Sequence, residues 1–427
     1  FSSRRRHTRY ISVTGVQTCA LPISRSTSIY YPGHCIPMLP HNLSNGLCSL
    51  KPNVLRLALC VRFSLSKKGI IKNVIFDKAL IKSHARLTYE EVQDFYNGKK
   101  NKKITEDLAK SLQALEKASL ILRSTKAKRG SIDFDLKESS ITLDANDYPI
   151  KVEAAQRLQS HKIIEDLMVS ANELVAEYFI NNNLASIYRI HEPANEEKLK
   201  EFMSTANALG ALPKNNKIRK LSSPKDLQSI IFAYEESRYK DILTTLMLRS
   251  MMQARYSANN LKHFGLASEA YTHFTSPIRR YADLVVHRQL SAAVFEKNKK
   301  ALLKQDILED ISKHISEKET QAVDLERKIT RIISAFFMID KLEETFSATV
   351  VSCTEFGLFI RLHKHYIEGL VHISTISKKR VIFMPQRLCL VISGGNKKIA
   401  VGDEVKVKLV NVSLEKGFID FELCQKF

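Results

Sequence analysis

Residues 273–290 read HFTSPIRRYADLVVHRQL. Thr275 or Ser276 suits an N-cap, Pro277 suits the first helical position, and Ile278, Tyr281, Val285 and Leu290 follow at roughly helical spacing, which predicts a helix starting here. Its first turn would carry Arg279 and Arg280, where free backbone N–H groups already converge and the helix end is partly positive. An anion would offset that charge, and the planar fork of a guanidinium matches two oxygens of a phosphate. The alternative is an ion pair to Asp283, four residues after Arg279 and three after Arg280.

The surrounding composition favours a polyanion. Lys and Arg number 66 against 45 Asp and Glu, a formal net charge of +21, and the pI is about 9.5. Nucleic acid fits better than a membrane, because no apolar run reaches spanning length. Seven cysteines lie scattered without CxxC spacing, which predicts neither a zinc site nor a disulfide framework and fits a reducing cytoplasm. At 427 residues the chain has room for two or three domains.

The 273–290 string closely resembles the signature of the RNB family of 3′→5′ exoribonucleases, and that resemblance continues through several motifs from about Thr27 to the C-terminus. It implies an α+β chain: a partial RNB-type catalytic domain of sheet plus helices over residues 25–342, then a five-stranded OB-fold β-barrel over 343–427. It also implies processive, Mg²⁺-dependent release of nucleoside 5′-monophosphates from single-stranded RNA, or structured RNA with a 3′ overhang, by a cytoplasmic monomer. In that scheme Arg279 stabilises charge on the scissile phosphate and Arg280 binds RNA beside it.

Residues 1–24 match nothing in the family. Val13 to Ile23 resembles read-through of a sequencing-library adaptor, so this segment is expected to be non-native and outside the fold. The prolines and glycines at Pro32, Gly33, Pro37, Pro40 and Gly46 predict a tightly turned loop, followed by strands over Leu55–Leu65 and Ile70–Phe76 around Lys67–Gly69. Leu55 stands where the family usually has Asp. A two-metal hydrolysis needs several carboxylates on one site, because hard Mg²⁺ prefers oxygen ligands. The family takes them from an Asp-rich motif before the Pro-rich loop, yet no Asp or Glu precedes Asp77. The expectation is an N-terminally truncated fragment that lacks the metal ligands and the upstream cold-shock modules.

HARLTY, residues 84–89, is expected to open a helix, and residues 105–123 to form another. By resemblance Tyr89 lies near the 3′-terminal nucleotide and Phe134, in RGSIDF, stacks on a base, a contact of ~1–3 kcal/mol that tolerates any sequence. Without the resemblance both would read as core aromatics. Residues 153–180 have helical apolar spacing. There the motif IIEDLMVSAN places Glu165 and Asn172 on the sugar or phosphate of the terminal nucleotides. YRIHEP contributes Arg189 and His191 as polar loop members. Residues 227–257 are expected to be helical with Met as adaptable packing, and 303–342 to form one long amphipathic helix, with Glu319 matching loosely a family glutamate near the site.

The last 85 residues change to strand periodicity over Phe346–Ser352, Leu358–Leu362 and Val405–Val412. EFGLFIRL followed by IEGLVHIS resembles the S1 RNA-binding domain. Phe356, Phe359 and His372 match its nucleic-acid face, where aromatics stack on bases. Lys378 to Lys398 is expected to be an irregular loop.

Overall fold

The computed structural model describes residues 16–134, 138–212, 223–393 and 397–425. Helix α1 (Val16–Arg25) leads into a small hairpin of β1 (Ile29–Tyr31) and β2 (His34–Ile36). The segment set apart as non-native therefore does not stop cleanly at residue 24. Ile23 packs against the core around Val285, and its carbonyl accepts from His314 Nε2 at 2.8 Å. The Pro-rich stretch that follows buries Met38 completely and so covers that core.

Strands β3 (Leu55–Leu65) and β4 (Ile71–Lys82) form a long antiparallel hairpin, in register from Leu55 with Lys82 to Leu65 with Ile71. One face turns Leu59, Val61 and Phe76 inward, while Leu57 and Leu80 stand exposed on the hairpin. Helix α2 (Tyr89–Tyr96) starts at Tyr89 and not at His84, because Thr88 caps it reciprocally with Glu91. Helix α3 (Glu106–Arg129), capped by Thr105, stops at Gly130. There φ is +103° and a Cβ would press on the Lys225 backbone, so only glycine fits easily. The hairpin of β5 (Ser139–Leu143) and β6 (Pro149–Ala154) precedes helix α4 (Gln159–Asn181).

Strand β7 (Tyr188–Ile190) leads to α5 (Glu196–Ala208), α6 (Pro224–Tyr234), α7 (Lys240–Ser250) and β8 (Arg255–Ser257), which pairs back on β7. The single helical stretch expected over 227–257 is thus two helices and a strand. Leu227, Ile230 and Tyr234 from α6 and Leu243 and Met247 from α7 all fill one core, which requires the chain to fold back between them. Helix α8 (Tyr281–Leu290) and the 34-residue helix α9 (Gln305–Met338) complete the first unit.

The C-terminal unit is a closed barrel. It contains β9 (Thr345–Thr354), β10 (Gly357–Leu362), β11 (Glu368–His372), β15 (Glu404–Ser413) and β16 (Phe418–Leu423) in the order β10-β11-β16-β15-β9. The turn into β10 needs glycine at 357, where φ is +143° and a Cβ would meet the Val371 carbonyl. Between β11 and β15 the chain forms a three-stranded antiparallel sheet of β12 (Val381–Met384), β13 (Cys389–Ile392) and β14 (Lys398–Ala400). This replaces the loop expected there. Ala335, Phe337 and Met338 from the end of α9, with Val152 and Ile242, join the barrel's own core and seat it on the first unit.

Candidate functional site

Arg279 does not lie on a helix. Pro277–Arg279 is a turn, Arg280 is extended, and α8 begins at Tyr281. The predicted start fails because other groups take the backbone. Tyr281 N–H donates to the Ser26 carbonyl at 2.8 Å, and Ser28 N–H donates to the Arg279 carbonyl at 2.9 Å. Ser276 N–H donates to Asp283 Oδ1 at 2.7 Å, so the carboxylate caps the turn from inside. The N-terminal thread and Asp283 together hold the turn from both sides.

The two arginines then part ways. Arg280 donates from Nε and Nη2 to the two oxygens of Asp283, each at 2.8 Å, and the Asp283 side chain is fully buried. Burial works against charge on Arg280, and Asp283 more than offsets it, raising the Arg280 pKa. The ion-pair alternative thus describes Arg280, which commits Nε and Nη2 of its guanidinium inward to Asp283. Arg279 is exposed, and among the described residues its guanidinium has no hydrogen-bond or ion-pair partner.

Helix α4 is the spine along which the other expected residues are arranged. At its start the His161 ring lies 4.1 Å from that of Tyr89, and the Tyr89 carbonyl accepts from Ser160 Oγ at 2.8 Å. Tyr89 keeps 43% of its surface exposed, enough to offer a ring face. One turn on, Glu165 accepts from Arg157 Nη2 at 2.8 Å, and Arg157 also pairs with Asp133, the neighbour of Phe134. Burial disfavours the Arg157 charge, but the two carboxylates more than compensate and raise its pKa. Tyr89 packs on the start of α4, and Arg157 just before that helix joins Glu165 to Asp133. Phe134 is half-buried against the core around Leu227 and also lines a cavity of about 580 Å³ with Arg249, Met252 and Arg327.

Asn172 is different from its expected role. It is 2% exposed and spends its amide inside: Nδ2 donates to Tyr271 Oη at 3.1 Å, and Phe274 N–H donates to Oδ1 at 2.9 Å. It does not face a channel. It ties α4 to the segment that carries Arg279.

Beneath the turn lies a run of rings: Tyr256, His273, Tyr271, His263 and His191, each within 5.2–5.6 Å of the next. Arg189 lies over the Tyr256 ring at 4.6 Å and pairs with Glu319. Glu319 is therefore engaged with a cation. Burial, with His191 and Arg189 nearby, holds His263 down at about 3, and burial with Arg280 and Arg189 keeps His273 well below its ordinary value. His191 is lowered by burial too, and its ring accepts from Gly265 N–H at 2.9 Å while Nε2 meets the Met252 carbonyl at 2.7 Å. At neutral pH these are uncharged packing rings.

Two carboxylates around the turn are already engaged by cations. Asp283 is taken by Arg280 and Ser276, and Glu319 by Arg189. Among the described residues no three His, Cys, Asp or Glu side chains gather as a metal site. As they are engaged here, Asp283 and Glu319 do not fit a magnesium centre.

On the barrel, Phe356 is 68% exposed and Phe359 and His372 are exposed near it, since Gly357 pairs with His372 across β10 and β11. Phe359 lines a groove of about 510 Å³ between barrel and α9 with Arg361, Phe418 and Arg331. Phe418 was not singled out from the sequence, where its strand merely alternates. The Ser26–Ser28 clamp left no local signal at all, because its partner lies some 250 residues away.

Residues 22–296 match the RNB domain family and residues 339–423 the S1 RNA binding domain family. The chain belongs to the RNB family, with an S1 domain following. Within it the chain is similar to bacterial ribonuclease R. It is 36% identical to ribonuclease R 1 of Lactococcus lactis over 93% of this chain and 49% of that protein, and 34% identical to ribonuclease R of Aquifex aeolicus over 96% and 58%. It superposes on Mycoplasma genitalium RNase R in complex with ribose methylated single-stranded RNA with a TM-score of 0.89, at 30% identity, over 97% of this chain and 65% of that one. The chain spans about half the length of the curated relatives it matches. Among the described residues no helix is long and apolar enough to cross a membrane.

Proposed function

We propose that this chain is the nuclease and S1 portion of a cytoplasmic, monomeric 3′→5′ exoribonuclease that takes single-stranded RNA and releases nucleoside 5′-monophosphates. The carrying observation is Arg279: an exposed, unpaired guanidinium on a turn whose backbone is fixed from both sides. With its backbone fixed, the uncommitted fork of Arg279 is free to pair with two oxygens of a scissile phosphate and to stabilise charge developing there. Tyr89 and Phe134 order the terminal bases by stacking, Glu165 contacts the terminal sugar, and Phe356, Phe359 and His372 hold the incoming strand.

A second reading is an RNA-binding chain without turnover. It is favoured by one observation: the carboxylates near Arg279 are already engaged. The separating experiment follows a 5′-labelled single-stranded RNA with Mg²⁺ and with chelator, beside a binding titration. Mg²⁺-dependent shortening supports the nuclease. Retention without shortening supports the second reading, and neither retention nor shortening sinks both.

A further inference from the structure

From Gly369 to Gly402 the sequence contains no Asp or Glu, in a chain with 45 acidic residues, but it contains Lys378, Lys379, Arg380, Arg387, Lys397 and Lys398. This acid-free stretch includes the whole β12–β14 sheet inserted between barrel strands β11 and β15. The bounding acids are occupied: Glu368 pairs with Arg361, and Asp403 accepts the Ala400 N–H at 2.8 Å. Lys378, Lys379, Arg380, Arg387 and Lys398 are exposed, and among the described residues their side chains make no hydrogen bond or ion pair.

The register explains how they are displayed. Val381 and Phe383 pack against the barrel core, with Phe383, Leu390 and Ile399 forming one inward row across the sheet. Alternation then turns Ile382 and Met384 outward, 46% and 39% exposed, and Ile382 lies in one row with Val391 and Lys398. Ser393 N–H donates to the Arg380 carbonyl, which continues the pairing and places Arg380 at the same end. The outer face is an apolar strip with cations along its margins. Six residues before Lys378 stands His372 on the barrel face. Cations this dense without counter-carboxylates repel one another unless an anion lies across them, and a phosphate chain supplies regularly spaced charge.

We propose that the β12–β14 sheet is a second contact surface for single-stranded RNA, extending the track from Phe356 and His372, with phosphates on the five cations and bases against Ile382 and Met384. It rests on the RNA-binding reading of the preceding section. The test measures binding of fluorescein-labelled poly(U) to the whole chain across a salt series. The variant K378Q/K379Q/R380Q/R387Q/K398Q is expected to bind at least tenfold more weakly, and its log K against log [salt] slope to flatten by ~0.7 for each phosphate no longer neutralised. Exchanging Lys for Arg and Arg for Lys at the same five positions keeps affinity and slope, which separates charge from any folding defect. Removing three exposed cations elsewhere, in K297Q/K300Q/K304Q, leaves binding unchanged. Unchanged affinity and slope in the fivefold variant overturn this surface alone and point to an acidic protein as its occupant. An equal loss in the K297Q/K300Q/K304Q control also overturns it, by reducing the effect to net charge. Failure of the parent chain to bind poly(U) at low salt overturns both this surface and the RNA-binding reading.

Discussion

The amide of Asn172 holds the backbone of Phe274: the Phe274 N–H donates to Asn172 Oδ1 at 2.9 Å, deep in the molecule. Helix α4 and the arginine turn are therefore positioned as one piece. In Asn172→Ala the buried Phe274 N–H and the Tyr271 hydroxyl lose their partner, a loss of about 1–3 kcal/mol for an unsatisfied buried group. Urea unfolding should give a correspondingly lower midpoint with an unchanged m-value. A midpoint equal to the parent's would mean the bond is not structural.

Arg280 and Asp283 form a buried pair, so removing one member leaves an uncompensated group. Asp283→Asn should destabilise the chain by ~3–5 kcal/mol, and Arg280→Lys should not rescue the fork geometry. Thermal melting of both variants checks this. Two melting temperatures within a degree of the parent would contradict the assigned role.

Arg279→Ala should behave in the opposite way. Its side chain has no protein partner among the described residues, so melting should be unchanged, whereas RNA turnover, in a form of the protein that degrades RNA, should fall by orders of magnitude with little change in binding. Equal turnover by wild type and variant would remove Arg279 from the chemistry.

The buried histidines set a pH dependence. His263, at about 3, and His273 and His191, both lowered, hold fewer protons folded than unfolded below the ordinary value of 6.5. Their contribution is fully present above about pH 6.5 and is lost as pH falls, by ~1.4 kcal/mol per pH unit for each histidine still neutral in the fold. Urea midpoints between pH 7.5 and 4.5 should decline on the acid side. His263→Gln should flatten that decline.

Phe356 is largely exposed, so Phe356→Ala should leave stability within about 0.5 kcal/mol and weaken RNA binding by ~1–3 kcal/mol if a base stacks there. Titration of labelled RNA against the parent and variant decides it. Identical isotherms would exclude Phe356 from the interface.

Local signals carried much of this architecture. The β3–β4 hairpin was legible from its turn residues, the long helix from its spacing, and the barrel from its strands and glycines. The β12–β14 sheet was not, because both faces of β12 are apolar: Val381 and Phe383 point in while Ile382 and Met384 point out, so no alternation marks the strand. Sequence position also cannot tell that Asn172 faces inward while Glu165, on the same helix, stays half-exposed. The start of α8 was misplaced for a different reason. Ser276 and Pro277 are good starting residues, but Ser26 and Ser28 capture the backbone that a helix would have used.

That capture also orders events in time. Ser28 and Arg279 meet only after about 250 intervening residues exist, so on a translating ribosome the thread waits roughly ten to fifty seconds for its partner. Closing so long a loop is entropically unfavourable until the intervening helices have compacted. The arginine turn thus closes only after the helices between its two halves have been made, so it joins the earliest strands of the first unit to a segment synthesised long afterwards.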